Sequence, residues 1–319
     1  MSVIVFGDLH ANCFATRYLA AKLKEYEDAW CLGDFLGRGP HAVDMLNFIE
    51  EYSQKYKTWV IGNHDAYVWD LISDDEKSRY KNEVADTLRY HKQILEDQEN
   101  KLTKIMSSKR GDLQWDGKEY AVVHASPTDP LGVREPYIFP WKSANIIMDN
   151  LVAPFTEVAM KKQRKRKKTP NAVLFVGHSH VPMFINWSDK QGFRNLDTEI
   201  IFGVPLSIPD GITIINPGSI GNPRIGSNTY VELDRGARTI TFQPFRLSTR
   251  SKNRLRDEQQ GLGFSAEIRR SFQVPPDTNK IEAEFPEFYK NLSAREKLYG
   301  DTIIEIGIDH CIKTTDNTL

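Results

Sequence analysis

Ser2-Val-Ile-Val-Phe-Gly-Asp8-Leu-His10 is the stretch that decides the fold class. Val3 to Phe6 reads as a buried strand, and it stops at Gly7 just before a carboxylate and an imidazole two residues apart. From Ala11 to Leu23 the pattern changes, with Phe14, Tyr18 and Leu19 at helical spacing. The same unit then recurs along the chain. Asp28 to Leu32 runs into Gly33-Asp34, followed by a helix from His41 to Tyr52 with Val43, Leu46, Phe48 and Ile49 partly on one face. Thr58 to Ile61 runs as a strand into Gly62-Asn63-His64-Asp65. Tyr120-Ala-Val-Val leads to His124, Ala172 to Val176 leads to Gly177-His178-Ser179-His180, and Gly211 to Ile215 leads to Asn216-Pro-Gly-Ser219. Two alternating runs between Tyr230 and Phe245, separated by Asp234-Arg-Gly-Ala, read as a closing hairpin. Strands alternating with helices imply a layered α/β architecture whose functional loops lie at the carboxyl ends of strands.

At 319 residues the chain accommodates one large domain, or a domain of about 250 residues with an appendage. Residues 1–246 read as the catalytic domain, with a polar helical insertion over 75–108 taken as one or two long surface helices. Residues 247–319 read as a polar C-terminal extension of unknown role, with weak helical patterns at Ser265 to Phe272 and Glu284 to Leu298. The formal net charge of −1 announces neither nucleic acid nor membrane as a partner. Cys13, Cys31 and Cys311 are scattered and odd in number, which argues against disulfides and for a reducing compartment, the cytoplasm by default. No signal-like start and no membrane-length apolar run is expected. One local exception to the balanced charge is Lys161-Lys-Gln-Arg-Lys-Arg-Lys-Lys168, with seven basic residues in eight. It offers a surface to a polyanion such as nucleic acid, although no aromatic residue interrupts it to stack on bases, and a solvated loop is the alternative.

The strand-end clusters share a chemistry. Carboxylate, imidazole and amide side chains are ligands for divalent ions, and a glycine beside Asp34, Asn63 and His178 lets the backbone turn sharply toward a cleft. Asp8 and His10 can meet one ion, His178 and His180 can serve two neighbouring ions, and Asp34 can bridge them. Two such ions, roughly 3.5 to 4 Å apart, leave a net positive charge that suits a phosphate ester and generates a hydroxide for in-line attack. His64 then remains over as the general acid for the leaving oxygen. Five of the eight histidines fall in these clusters, and His41, His91 and His310 are left as structural.

The ordered set Asp-x-His, Gly-Asp, Gly-Asn-His-Asp, His and Gly-His-x-His resembles the calcineurin-like metallophosphoesterase superfamily over roughly Met1 to Arg246. That resemblance implies a layered two-sheet β-sandwich flanked by helices, with a dinuclear centre between the sheet ends. It implies one metal at Asp8, His10, Asp34 and His180, a second at Asp34, Asn63, His124 and His178, and His64 as catalytic histidine. The expected ions are Mn foremost, with Fe, Zn, Co or Ni compatible. His124-Ala-Ser-Pro-Thr-Asp-Pro-Leu and Asn216-Pro-Gly-Ser-Ile-Gly-Asn-Pro-Arg resemble the small prokaryotic phosphatases and phosphodiesterases. In Gly33-Asp-Phe-Leu-Gly-Arg-Gly39, Gly37 stands where serine/threonine protein phosphatases carry an acidic residue, and Ile61 where they carry arginine. Arg38 matches the arginine of that motif and becomes a candidate phosphate ligand. The expected activity is hydrolysis of phosphomonoesters or phosphodiesters. A nuclease or nucleotide-directed phosphodiesterase is the alternative enzyme, and a protein-binding scaffold on the same fold is the alternative of another class.

Overall fold

The computed structural model describes residues 2–53, 58–98, 111–134, 137–164, 168–271 and 304–306. Two six-stranded sheets are packed face to face. The strands are β1 (Ser2–Phe6), β2 (Asp28–Cys31), β3 (Gln114–Asp116), β4 (Tyr120–Val123), β5 (Ala172–Val176), β6 (Met183–Ser188), β7 (Gly192–Asn195), β8 (Leu206–Ser207), β9 (Ile212–Asn216), β10 (Asn228–Asp234), β11 (Thr239–Leu247) and β12 (Ile304–Ile306). One sheet runs β12-β11-β10-β1-β2 with β8 also paired to β11, and the other runs β3-β4-β5-β9-β6-β7.

The unbroken apolar runs follow from burial on both faces of each central strand. Successive side chains alternate across a sheet. In β1, Val3 and Val5 join the core between the sheets, while Ile4 and Phe6 join the core under the outer helices. β5 divides in the same way, with Val173 and Phe175 inward and Ala172, Leu174 and Val176 outward. Parallel pairing of β1 with β2 and of β4 with β5 and β9 brings their carboxyl ends to one rim. That rim carries every strand-end cluster read from the sequence.

Helices α1 (Cys13–Leu23), α2 (Ala42–Ser53), α3 (Asn63–Val68), α4 (Asp74–Lys77) and α5 (Asn82–Ile94) follow the first three clusters. Asn12 caps α1, its side chain accepting from the Ala15 amide. Leu46, Phe48 and Ile49 are buried as expected, but Val43 lies on the outer side of α2 and is 48% exposed. The opposite sheet is covered by helices Ala144–Ile147 and Ala153–Gln163, joined through a π-helical turn, Met148–Val152.

Several expectations need correcting. Thr58 to Ile61 is not a full strand, since only Trp59 bridges to Cys31. Its residues still enter two cores, Trp59 under the helices and Val60 between the sheets. The β6–β7 hairpin was not read from the sequence because Asn186 interrupts its apolar pattern. Asn186 is nevertheless fully buried, its amide donating to Asp210 O, Ile212 O and Thr213 Oγ1. Within the insertion, α5 is more than a surface helix, because Ala85, Leu88 and His91 are buried; residues 99–108 lie outside the described residues. After β11 come two further helices, Thr249–Gly261 and Ala266–Ser271. Leu255, Phe264 and Ile268 bury into the same core as α1 and α2. The Glu284 to Leu298 pattern lies outside the described residues, as do 165–167 of the basic run. Cys13 and Cys31 are buried thiols with no disulfide between them, and Cys311 is outside the described residues. Among the described residues no helix is long and apolar enough to cross a membrane.

Candidate metal centre

Five of the seven candidate ligands sit on backbone that most side chains avoid. Asp8, His10, Asp34, His178 and His180 all have positive φ, between 49° and 63°. Aspartate and histidine tolerate this left-handed region better than most residues, but the conformation still costs about 1 kcal/mol or more each. Of the neighbouring glycines, Gly33 turns the chain as the sequence reading expects and Gly62 does not. Gly33 has a φ of +88°, whereas Gly62 has −104° and is needed for space, since a Cβ there would lie 2.1 Å from Asp34 Oδ1.

Three of the histidines have their tautomer fixed by the chain. Nδ1–H of His10 donates to Leu36 O at 3.1 Å, that of His124 to Leu32 O at 2.6 Å, and that of His180 to Asn222 O at 2.7 Å. A carbonyl can only accept, so in the neutral ring each Nε2 is left as a bare lone pair. Those lone pairs converge. His10 Nε2 lies 2.9 Å from His180 Nε2 and 3.8 Å from Asp34 Oδ2, and His180 Nε2 is 3.4 Å from Asp8 Oδ1. The ligand atoms of Asp8, His10, Asp34 and His180 all lie within 4.8 Å of one another, and Asp8 Oδ2 is buried with no partner among the described residues. Acceptors facing acceptors at this range in a buried site call for a cation between them.

A second set adjoins the first through Asp34. His124 Nε2 is 3.6 Å from Asp34 Oδ2 and 3.1 Å from Asn63 Oδ1, which is in turn 3.1 Å from His178 Nδ1. Tyr80, between α4 and α5, determines which end of the Asn63 amide faces this set. Its hydroxyl donates to Asn63 O at 2.9 Å and therefore accepts from Asn63 Nδ2 at 3.0 Å, turning Oδ1 toward the two histidines. Tyr80→Phe frees the amide to flip, and divalent affinity is expected to fall by about tenfold to a hundredfold. Calorimetric metal titration checks this, and unchanged affinity contradicts it.

Electrostatics agree with an ion site. Burial, then Asp34, raises the Asp8 carboxyl well above its usual range, and burial pushes Asp34 up to about 7. Burial also lowers His124 to about 4 and holds His10, His178 and His180 well below the usual imidazole range. Below about pH 7 a cation has to displace a proton from Asp34, whereas the histidines stay neutral and do not compete until far lower pH. Metal affinity should therefore fall as pH drops from 8 to 6, by about tenfold per pH unit for each proton displaced below that pKa. Titrations at the two pH values test it, and equal affinities contradict it.

His64 stands beside both sets without entering either. Its Nε2 is 3.9 Å from Asp34 Oδ2, and its Nδ1 is buried with no partner among the described residues. The reason is Gly37. A Cβ at that position would lie 1.9 Å from His64 Nδ1, so the loop backbone packs directly on the ring where protein phosphatases, by resemblance, place a carboxylate. Asp65 instead joins the two loops, accepting from Gly62 N at 3.0 Å and Leu36 N at 3.1 Å. His91, left as structural from sequence, buttresses the same loop: Gly37 N–H donates to its Nδ1 at 3.0 Å, and its Nε2–H donates to Gly39 O at 2.8 Å.

A cavity of about 450 Å³ opens onto the centre, lined by Asn63, His64, His178, Tyr80, Arg38 and Arg224 among others. Burial, then the nearby Arg224 charge, lowers the Arg38 pKa, so two guanidiniums converge on one cavity. Arg224 stacks over the Tyr137 ring at 4.3 Å, and Tyr137 stacks on His178 at 4.3 Å. The sequence reading missed Arg224 and Tyr80. Arg224 closes the Asn216 to Arg224 stretch and was legible there; Tyr80 has no local signal.

The sequence profile of the calcineurin-like phosphoesterase superfamily domain matches residues 1–237. The chain belongs to this superfamily. Similar proteins include an uncharacterized protein of Methanocaldococcus jannaschii, 26% identical over 230 residues that cover 71% of this chain and 79% of that one. A symmetrical bis(5'-nucleosyl)-tetraphosphatase of Erwinia tasmaniensis is 25% identical over 251 residues, covering 68% of this chain and 90% of that enzyme. Among solved structures, a metallophosphoesterase from Sphaerobacter thermophilus superposes with a TM-score of 0.64 at 24% identity, over 86% of this chain and 99% of that one, which supports the calcineurin-like fold.

Proposed function

We propose that this phosphoesterase is a dinuclear metal enzyme that hydrolyses phosphomonoesters or phosphodiesters, with His64 as general acid. The observation that carries the reading is the convergence of bare ring nitrogens and carboxylate oxygens into two adjoining donor sets sharing Asp34. Asp8, His10, Asp34 and His180 would hold one divalent ion, and Asp34, Asn63, His124 and His178 the other, with manganese the expected occupant. When bound, such ions supply Lewis acidity and a hydroxide nucleophile at neutral pH. The chain's own residues do the rest. Arg38 and Arg224 receive non-bridging phosphate oxygens. Before substrate binds, burial first and the nearby Arg38 guanidinium with it hold the His64 imidazole neutral. The negative charge of a phosphate ester seated between the two arginines opposes that effect and favours the protonated ring, which then gives its proton to the leaving oxygen. We place residues 1–246 as the catalytic domain and the protein in a reducing, cytoplasmic compartment.

A nucleotide-directed activity is the second reading, supported by the name of the Erwinia tasmaniensis relative. The basic run Lys161 to Lys168 remains a candidate polyanion surface, although two of its described residues are engaged within the chain: Lys161 pairs with Glu157 and Lys162 lies over the Trp115 ring. One panel tests these readings together. After manganese reconstitution, turnover is compared on aryl phosphate monoesters, diesters, dinucleoside polyphosphates and nucleic acids. Hydrolysis of a mono- or diester supports the phosphoesterase reading, cleavage confined to the anhydride bonds of the polyphosphates supports the nucleotide-directed one, and preference within the panel assigns the substrate. Inertness toward all of them contradicts the reading and favours a scaffold.

A further inference from the structure

The loop Gly37-Arg38-Gly39 presses on His64 and presents Arg38 to the cavity, yet it has no sheet partner of its own. Arg38 is held at a φ of 62°, a conformation that a non-glycine residue keeps only when its surroundings impose it. Side chains from two outside elements do so. From α5, Thr87 Oγ1 accepts the Arg38 N–H at 3.2 Å, and His91 takes the two glycines on either side. From helix Thr249–Gly261, Gln259 Nε2 donates to Arg38 O at 3.1 Å. That helix lies beyond residues 1–237, the span matched by the superfamily profile.

Gln259 is an expensive choice for packing. It is fully buried, and its Oε1 has no hydrogen-bond partner among the described residues. An orphaned buried amide oxygen costs about 1 to 3 kcal/mol, which a methionine or leucine of similar volume avoids. Its helix is anchored independently of the amide, by Leu255 in the core and by His41 Nε2 at 2.6 Å from Glu258 Oε2. The following helix then walls the same cavity with Glu267, Ile268 and Ser271. Ser271 Oγ accepts from Asn222 Nδ2 at 3.3 Å, and Asn222 is the residue whose carbonyl orients His180.

We propose that Gln259 is a positioning residue that holds Arg38 in its phosphate-binding conformation, making the C-terminal helical pair part of the active site. The inference rests on the phosphoesterase reading, with Arg38 as phosphate ligand. Its test uses the full, metal-loaded chain and inorganic phosphate as the probe. Gln259→Met and Gln259→Leu are prepared in the native background and in Arg38→Ala. Both single variants should stay folded with a melting temperature near the native one, because the orphaned Oε1 removed and the Arg38 carbonyl left without its donor offset each other, and they should retain metal and bind phosphate about tenfold more weakly, the scale set by loss of one buried hydrogen bond. KM should rise more than kcat falls. In the Arg38→Ala background the same changes should add nothing further. Native phosphate affinity in the single variants overturns the proposal, as does an equal loss with and without the Arg38 guanidinium. Failure of the native metal-loaded chain to bind phosphate removes the phosphoesterase reading itself, and the proposal with it.

Discussion

Asp34→Asn should reduce kcat/KM by on the order of 10³ or more and impair binding at both metal positions. The carboxylate is the group common to the two donor sets, with Oδ2 3.8 Å from His10 Nε2 and 3.6 Å from His124 Nε2. Asparagine keeps the shape but removes the charge and one acceptor oxygen. Several kcal/mol of electrostatic stabilisation disappear with it, and each 1.36 kcal/mol is tenfold in rate. The loss should not come from unfolding. The Asp34 pKa is raised to about 7 by burial, so its contribution to stability is present at low pH and lost as pH rises through 7. At pH 8 the metal-free variant should accordingly melt at the same temperature as the native protein or above it. Near-native activity, or inactivity accompanied by a collapsed melting temperature, contradicts the assignment.

His64→Ala should lower turnover by about 10² to 10⁴ while metal content stays native, because His64 borders both donor sets and belongs to neither. The penalty should depend on the leaving group. An alkyl ester needs its departing oxygen protonated and should show the full loss; a nitrophenyl ester leaves as a stabilised anion and should show much less. A penalty that ignores the leaving group removes the acid role. A fully active variant removes His64 from the mechanism altogether.

The fold was legible where local pattern and burial coincide. Val3 to Phe6 and Ala172 to Val176 must be apolar at every position because alternate side chains enter different cores. The candidate ligands were legible for a related reason: each follows an apolar run that ends on one rim, so their order along the chain survives in the sequence. What escaped depends on single residues meeting across the fold. Tyr80 orients Asn63, His91 buttresses the Arg38 loop, and Gln259 reaches Arg38 from far along the chain. None of the three carries a local motif, and Gln259 sits in a segment whose polar composition masks the burial of Leu255, Phe264 and Ile268. The β6–β7 hairpin was hidden by Asn186, whose burial depends on acceptors that only the folded sheet supplies.

The proposed activity requires that two donor sets joined by Asp34 take up metal and hydrolyse a phosphate ester. Its most direct test is a manganese titration of the chelator-treated protein, with bound metal and phosphoester turnover followed in the same samples. Two ions per chain should bind, with turnover rising as the second site fills. Absence of bound metal together with absence of turnover across the manganese range would contradict the claim.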